Sequence, residues 1–109
     1  MTETVTAVHE LAEMRAYVYS GATRSYAFRR RQLLALRYAL LKYEKEIMDA
    51  LWHDLRKTPE EVYATETGMV FKEIRFALKN LRKWTRPART KTNLVNFPSI
   101  SEIIHDPLG

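Results

Sequence analysis

The sequence predicts a mainly α-helical chain, in which three long amphipathic helices are followed by a short two-stranded β ribbon. Three observations lead to this fold class. Apolar residues recur at the three- and four-residue spacing of a helix as far as Trp84. Two short apolar runs replace that pattern near the C-terminus. The 109 residues, 46% of them apolar, are enough for one small helical domain.

The first helix is expected from about Thr6 to Tyr19, with Ser20-Gly21 as its C-terminal stop. Four residues share one face of it at helical spacing: Val8, Leu11, Arg15 and Val18.

The second helix is expected to start after Thr23 or Ser25, either of which can cap it, and to continue to about Leu55. Its apolar residues form two adjacent rows: Leu33, Leu36, Leu40, Ile47 and Leu51 in one, and Leu34, Leu41, Met48 and Leu55 in the other. Such a wide face predicts burial against more than one neighbour.

The third helix has the clearest start signal, Thr58-Pro59-Glu60-Glu61. Thr58 and Glu61 have the spacing of a capping box, and Pro59 suits the first helical position, where no amide donor is needed. The helix should end near Arg86-Pro87, because proline disfavours helical geometry in the residue before it. One stripe follows its predicted buried face: Val70, Ile74, Ala77, Leu81 and Trp84.

The last part of the chain predicts two short strands, Asn93–Phe97 and Ile100–His105, joined at Pro98-Ser99. We therefore divide the chain into a helical region, residues 1–86, and an extended ribbon arm, residues 87–109. A two-stranded ribbon is marginal alone in water, so we expect it to pack on something else.

The net charge of +5 is concentrated in one segment, which we call the basic segment. It contains one acidic residue, Glu73, and eight basic residues: Lys72, Arg75, Lys79, Arg82, Lys83, Arg86, Arg89 and Lys91. Clustered cations of this kind are typical of a surface for nucleic acid or an acidic membrane. The preferred interpretation is that they decorate an exposed helix face and complement the helix dipole.

The other candidate groups favour structural roles. Consecutive arginines at Arg29-Arg30-Arg31 point in three directions about 100° apart and form no single patch. His9, His53 and His105 lack the spacing of a metal site, and Glu60, Glu61 and Glu66 resemble helix-start charges. The only glycines are Gly21, Gly68 and Gly109, so no glycine-rich phosphate loop is present. The sequence therefore predicts no catalytic, cofactor-binding or metal-binding residue in this chain.

Cysteine is absent, which excludes a disulfide framework and a thiolate nucleophile from these residues. The first residues lack the features of a signal or transit peptide, and no apolar stretch approaches the roughly 20 residues that span a bilayer. The expectation is a cytoplasmic chain without a membrane segment.

As a whole, the sequence resembles the N-terminal portion of the aldehyde dehydrogenase family, of the class 3 or fatty-aldehyde type. The resemblance extends from about Leu11 to Gly109. It rests on the order and spacing of several stretches: Ser20-Gly21-Ala22-Thr23-Arg24-Ser25, Phe28-Arg29, Gln32-Leu33-Leu34, Ala50-Leu51, Asp54-Leu55, Lys57, Tyr63, Glu66, Glu73-Ile74, Trp84 and Ile103-Ile104-His105-Asp106-Pro107-Leu108-Gly109.

The resemblance implies a fragment of the larger α/β aldehyde dehydrogenase fold. In that family a cysteine thiolate attacks the aldehyde, hydride passes to NAD or NADP, and a glutamate-activated water releases the acid. The family's cysteine, oxyanion asparagine, base glutamate and cofactor glycines all lie beyond Gly109. The expected role is therefore helical packing and an oligomerisation arm, with the remainder of the enzyme chain and further copies as partners and no nucleic acid.

The alternative hypothesis is a stand-alone helical interaction module, whose basic face binds an acidic or nucleic-acid partner. Self-association through exposed helical faces or ribbon edges is a third.

Overall fold

A computed structural model describes the backbone of residues 2–108 and the side chains of residues 6–108. The helices, in chain order, are α1 (Thr2–Tyr19), α2 (Tyr26–Lys42), α3 (Glu44–Leu55), α4 (Pro59–Val62) and α5 (Gly68–Thr85), with a π-helical turn at Tyr63–Thr67 between the last two. The strands β1 (Ala88–Thr90) and β2 (Ser101–Ile103) flank a 3-10 turn at Leu94–Asn96. The predicted fold class, mainly helical with a two-stranded ribbon, is confirmed.

The predicted second helix is two helices, because the backbone leaves helical geometry at Tyr43, with φ −103° and ψ 18°. The amide of Tyr43 still donates to the carbonyl of Ala39, and its carbonyl accepts from Ile47, at 2.9 and 3.0 Å. The interruption is therefore a bend within a continuous run of helical hydrogen bonds. Ser25, rather than Thr23, caps α2, since its Oγ accepts from the amide of Phe28 at 3.1 Å.

The predicted helix boundaries hold at several other places. α1 ends at Tyr19, and Gly21 follows with a positive φ of 82°, although the helix begins at Thr2 rather than Thr6. α3 ends at Leu55, where Arg56 adopts the left-handed conformation that closes the helix. α5 ends at Thr85, just before Arg86-Pro87.

The predicted first strand, Asn93–Phe97, is wrong. The Asn93 side chain accepts a hydrogen bond from the amide of Val95, and this local bond closes a 3-10 turn in place of an extended strand. The strand that pairs with β2 is instead β1, directly after Pro87. The two strands are antiparallel, with Ala88 opposite Ile103. The second predicted strand, Ile100–His105, contains β2 and is three residues too long.

The chain forms two compact units. The central unit is Arg30–Leu81, and the terminal unit combines residues 1–29 with residues 82–109. Among the described side chains, those that are buried all belong to the central unit: Val62, Thr67, Ile74 and Leu81. The predicted stripe of α5 is thus buried at Ile74 and Leu81, whereas α2 and α3 contain no buried residue. The wide face predicted for the second helix is at most half-buried in this chain.

Candidate functional site

The start of α4 is fixed by the predicted capping box. The Thr58 Oγ1 accepts from the amide of Glu61 at 3.3 Å, and the amide of Thr58 donates to a Glu61 carboxylate oxygen at 3.3 Å. Two amides that the helix cannot satisfy internally therefore have partners. Pro59 occupies the first helical position, and Val62, at the end of this short helix, is completely buried.

The π-helical turn after α4 has both an ion pair and an unsatisfied polar group. Lys57 Nζ lies 2.5 Å from Glu66 Oε1 and also donates to Thr65 Oγ1 at 3.3 Å. Thr67, the last residue of the turn, is buried, and its hydroxyl oxygen has no hydrogen-bond partner among the described residues. π-helical turns inside helices are frequent at functional sites, and a buried hydroxyl without a partner costs free energy.

Gly68 is required by the close approach of the backbone in this turn. Its amide donates to the carbonyl of Tyr63, five residues earlier. A Cβ atom at position 68 would collide with that same carbonyl oxygen. The sequence indicated Gly68 only as a weak point in helix propensity, whereas the structure gives it a steric reason.

A cleft of about 280 Å³ lies within the central unit. It is lined by charged, aromatic and aliphatic side chains from α2, α3, the π-helical turn and α5: Arg37, Leu41, Glu44, Tyr63, Phe71 and Arg75. Leu41, Tyr63 and Arg75 stand out separately in the sequence, but the six lining residues become neighbours only when the helices pack. We call this group the arginine cleft.

In the terminal unit, Arg24 pairs with Asp106, which fixes the segment after β2 beside the turn between α1 and α2. The Nε of Arg29 donates to the carbonyl of Thr23 in the same turn at 3.2 Å, so the first of the three consecutive arginines has a structural role. Tyr17 and Phe28 meet edge to face, with ring centroids 6.2 Å apart. These contacts involve only exposed or half-buried side chains.

The basic segment is exposed along the last turns of α5 and along β1. Arg82 and Lys83 occupy the last turn of α5, where cations complement the helix dipole. The Arg82 guanidinium also lies over the Tyr26 ring, 4.4 Å from its centroid. Arg89 is opposite Glu102 in the ribbon. Arg82 thus has a ring partner within the terminal unit.

The turn between β1 and β2 exposes a group of large apolar side chains. Leu94, Val95 and Phe97 are 88, 86 and 81% exposed. Ile100 and Ile104 are also exposed on either side of β2. We call this group the ribbon patch.

The histidines are separate and exposed. His9 Nδ1 lies 3.5 Å from Glu13 on α1, and His53 Nδ1 lies 2.8 Å from the carbonyl of Asp49 on α3. Among the side chains of residues 6–108, no three histidine or carboxylate groups are placed to hold a metal ion. In the same range, no helix is long and apolar enough to cross a bilayer. The absence of catalytic residues from this chain stays a prediction.

No protein-family model matches the chain. An aldehyde dehydrogenase from Craterostigma plantagineum is 42% identical over 95 residues, which cover 87% of this chain and 20% of that protein. Aldehyde dehydrogenase family 3 member H1 of Arabidopsis thaliana is 37% identical over 99 residues, covering 91% of this chain and 20% of that protein. A solved structure of Staphylococcus aureus AldH in a substrate-bound state superimposes with a TM-score of 0.88 at 36% identity, covering 93% of this chain and 22% of that one.

In sequence and in fold, the chain is thus similar to a segment of aldehyde dehydrogenases. The resemblance includes family 3 of that class, and an N-terminal segment fits it. The chain spans about a fifth of the length of the curated relatives it matches.

Proposed function

We propose that this chain supplies the N-terminal helical scaffold and an oligomerisation arm of an NAD(P)-dependent aldehyde dehydrogenase, and that it performs no catalysis alone. In the full-length enzyme the reaction would convert an aldehyde to a carboxylic acid and transfer a hydride to NAD or NADP. The relatives matched by the chain are aldehyde dehydrogenases, and they extend well beyond the matched segment.

The single observation that carries the scaffolding role is the distribution of buried residues. No described side chain of the terminal unit is buried, although this unit contains α1, the ribbon and the ribbon patch. A folded unit normally depends on burial of apolar surface, and large exposed apolar patches mark surfaces that another protein segment covers. The remainder of an enzyme chain, or a second copy, is the proposed cover.

The described residues do not fit a nicotinamide dinucleotide site. Such sites place a glycine-rich turn directly before a helix, so that backbone amides contact the pyrophosphate. Gly21 follows a helix, and Gly68 lies inside a helical run whose backbone groups are already bonded. We therefore assign NAD or NADP to no residue of this chain. A cytoplasmic location, expected from the sequence, is part of the same proposal.

The catalytic half of the proposal is tested by incubating the purified chain with an aldehyde and NAD or NADP. We expect no NAD(P)H absorbance above that of a reaction without protein. Turnover that increases in proportion to the concentration of the chain would contradict the claim that it is inactive alone.

The scaffolding half is tested by light scattering at increasing concentrations of the chain. We expect the chain to self-associate. We expect this self-association to weaken when Leu94, Val95 and Phe97 are all changed to serine. Met69→Ser is the control, because Met69 is an exposed apolar residue of the central unit, outside the ribbon patch. A wild-type chain that stays monomeric, or association that both variants leave unchanged, would count against the arm.

A further inference from the structure

The arginine cleft has a composition that none of the proposed roles uses. Arg37 and Leu41 lie one helical turn apart on α2, and Phe71 and Arg75 have the same spacing on α5. Residues four apart are neighbours on a helix surface. Each of these two helices therefore presents a cation beside an apolar side chain to the same open cleft.

The two guanidiniums lack anionic partners. In the part of the chain that the structure describes, neither Arg37 nor Arg75 forms an ion pair. Glu44 lines the cleft but pairs with neither arginine. The lining thus has a net charge of +1. The hydrogen-bond donors of its two guanidinium groups are available to an anion.

The other residues that line the cleft indicate what the uncharged part of such an anion should be. Leu41 and Phe71 offer aliphatic and aromatic surface, and Tyr63 adds a ring. Inorganic phosphate would leave this surface uncovered, whereas an alcohol would leave the guanidiniums without a charged partner. A ligand with a carboxylate head and a hydrocarbon body satisfies both kinds of lining.

The size of the cleft limits the ligand. At about 280 Å³ it lies just below the range of roughly 300 to 1,000 Å³ that is typical of small-molecule sites. We propose that the arginine cleft binds a short aliphatic carboxylate, whose head contacts Arg37 and Arg75 and whose chain contacts Leu41 and Phe71. The proposal depends only on the central unit and does not require the proposed enzymatic role.

The test is calorimetric titration of the 109-residue chain with octanoate, with octanol and inorganic phosphate as separate probes. Octanoate is expected to bind with one-to-one stoichiometry, at least tenfold more tightly than either of the other two. Arg37→Gln and Arg75→Gln are each expected to weaken octanoate binding by about tenfold, because each removes a charge-assisted hydrogen bond.

Matched controls lie on the same two helices. Arg30→Gln on α2 and Lys79→Gln on α5 each remove one positive charge outside the cleft and should leave octanoate affinity unchanged. Arg75→Lys keeps the charge but not the planar donor pair, so its affinity should be intermediate. Circular dichroism of every variant confirms that the helices are retained.

Three results would overturn the proposal. The first is the absence of octanoate binding to the folded wild-type chain. The second is equal affinity for octanoate and octanol, which would mean that the arginines do not contribute. The third is an equal loss of affinity in the two control variants, which would indicate a general charge effect in place of a site.

Discussion

Lys57 Nζ lies 2.5 Å from Glu66 Oε1, so the residue that precedes the α4 cap is joined directly to the π-helical turn after α4. Lys57 is 26% exposed and Glu66 is 44% exposed. In its degree of burial, the pair is therefore intermediate between two kinds of ion pair. Fully solvated pairs contribute little to stability, and buried pairs are costly to break.

We expect a double-mutant cycle with Lys57→Met and Glu66→Gln to give a coupling free energy of about 0.5 to 1 kcal/mol. The reason is that partial burial reduces screening of this pair by salt. Urea unfolding of the wild type and the variants, at low and at high salt, measures this coupling free energy. The exposed Lys45–Asp49 pair on α3 is the control and should show a smaller coupling that salt removes. Equal couplings in the two pairs would contradict the structural distinction.

Lys45 and Asp49 also predict a pH effect. The hydrogen bond from Lys45 to Asp49, together with the charge of that carboxylate, raises the pKa of Lys45 above its ordinary value. A raised lysine pKa stabilises the fold at pH values below the unfolded pKa, and the contribution is lost as the pH rises through the folded pKa. Asp49→Asn should lower the pKa of Lys45, as followed by NMR titration of its side chain. An unchanged pKa in the variant would exclude Asp49 as the cause.

The buried hydroxyl of Thr67 predicts an unusual response to substitution. Thr67→Val replaces an unpartnered oxygen by a methyl group of similar size, and we expect it to stabilise the fold by up to about 1 kcal/mol. Thr67→Ser keeps the oxygen but loses a buried methyl group, and should destabilise by about 1 kcal/mol. Thermal unfolding of both variants provides the comparison. A valine variant less stable than the serine variant would mean that the hydroxyl has a partner in solution.

Gly68 predicts a reversal of the usual helix rule. Replacing glycine by alanine inside a helix normally stabilises it by about 0.5 to 1 kcal/mol. Here the new Cβ atom meets the Tyr63 carbonyl oxygen, so Gly68→Ala should destabilise the fold by about 1 to 3 kcal/mol. Lys72→Ala, at an exposed position of α5, should change stability by less than about 0.5 kcal/mol. Stabilisation by Gly68→Ala would show that the turn relaxes to an ordinary helix without cost.

Removal of the capping box is expected to lower the free energy of unfolding, even when no charge is changed. Thr58→Ala removes the hydroxyl that accepts from the Glu61 amide, and should cost about 0.5 to 2 kcal/mol. Glu60→Gln removes a neighbouring first-turn charge without touching the box, and should cost no more than about 0.3 to 1 kcal/mol. Chemical denaturation measures both, and an Ala variant as stable as the wild type would remove the box as a stabilising element.

The sequence was most informative where one or two neighbouring residues decide the structure. Thr58, Glu61 and Pro59 specify a helix start by local chemistry alone, and Gly21 specifies a helix end in the same way. These positions could be predicted because the groups that bond are within three residues of one another. The fold class followed from the periodicity between them.

The bend at Tyr43 and the turn at Asn93 show where local patterns fail. The apolar rows run through Tyr43 without glycine or proline, so no sequence signal marks the bend. Asn93 lies in an apolar run that has the appearance of a strand, but its side chain competes with the partner strand for a backbone amide. The arginine cleft was missed for a further reason, because its residues come from four elements and become adjacent only after packing.

The two compact units differ in which stretches of the chain they contain, and this difference affects the order in which they can form during synthesis. The central unit is one continuous stretch, Arg30–Leu81, so all of its contacts are available as soon as Leu81 has left the ribosome. The terminal unit cannot be completed until the residues from Arg82 onward have been synthesised, although the residues up to Arg29 are made first. Because chains emerge at roughly 5 to 20 residues per second, α1 spends several seconds without its eventual neighbours.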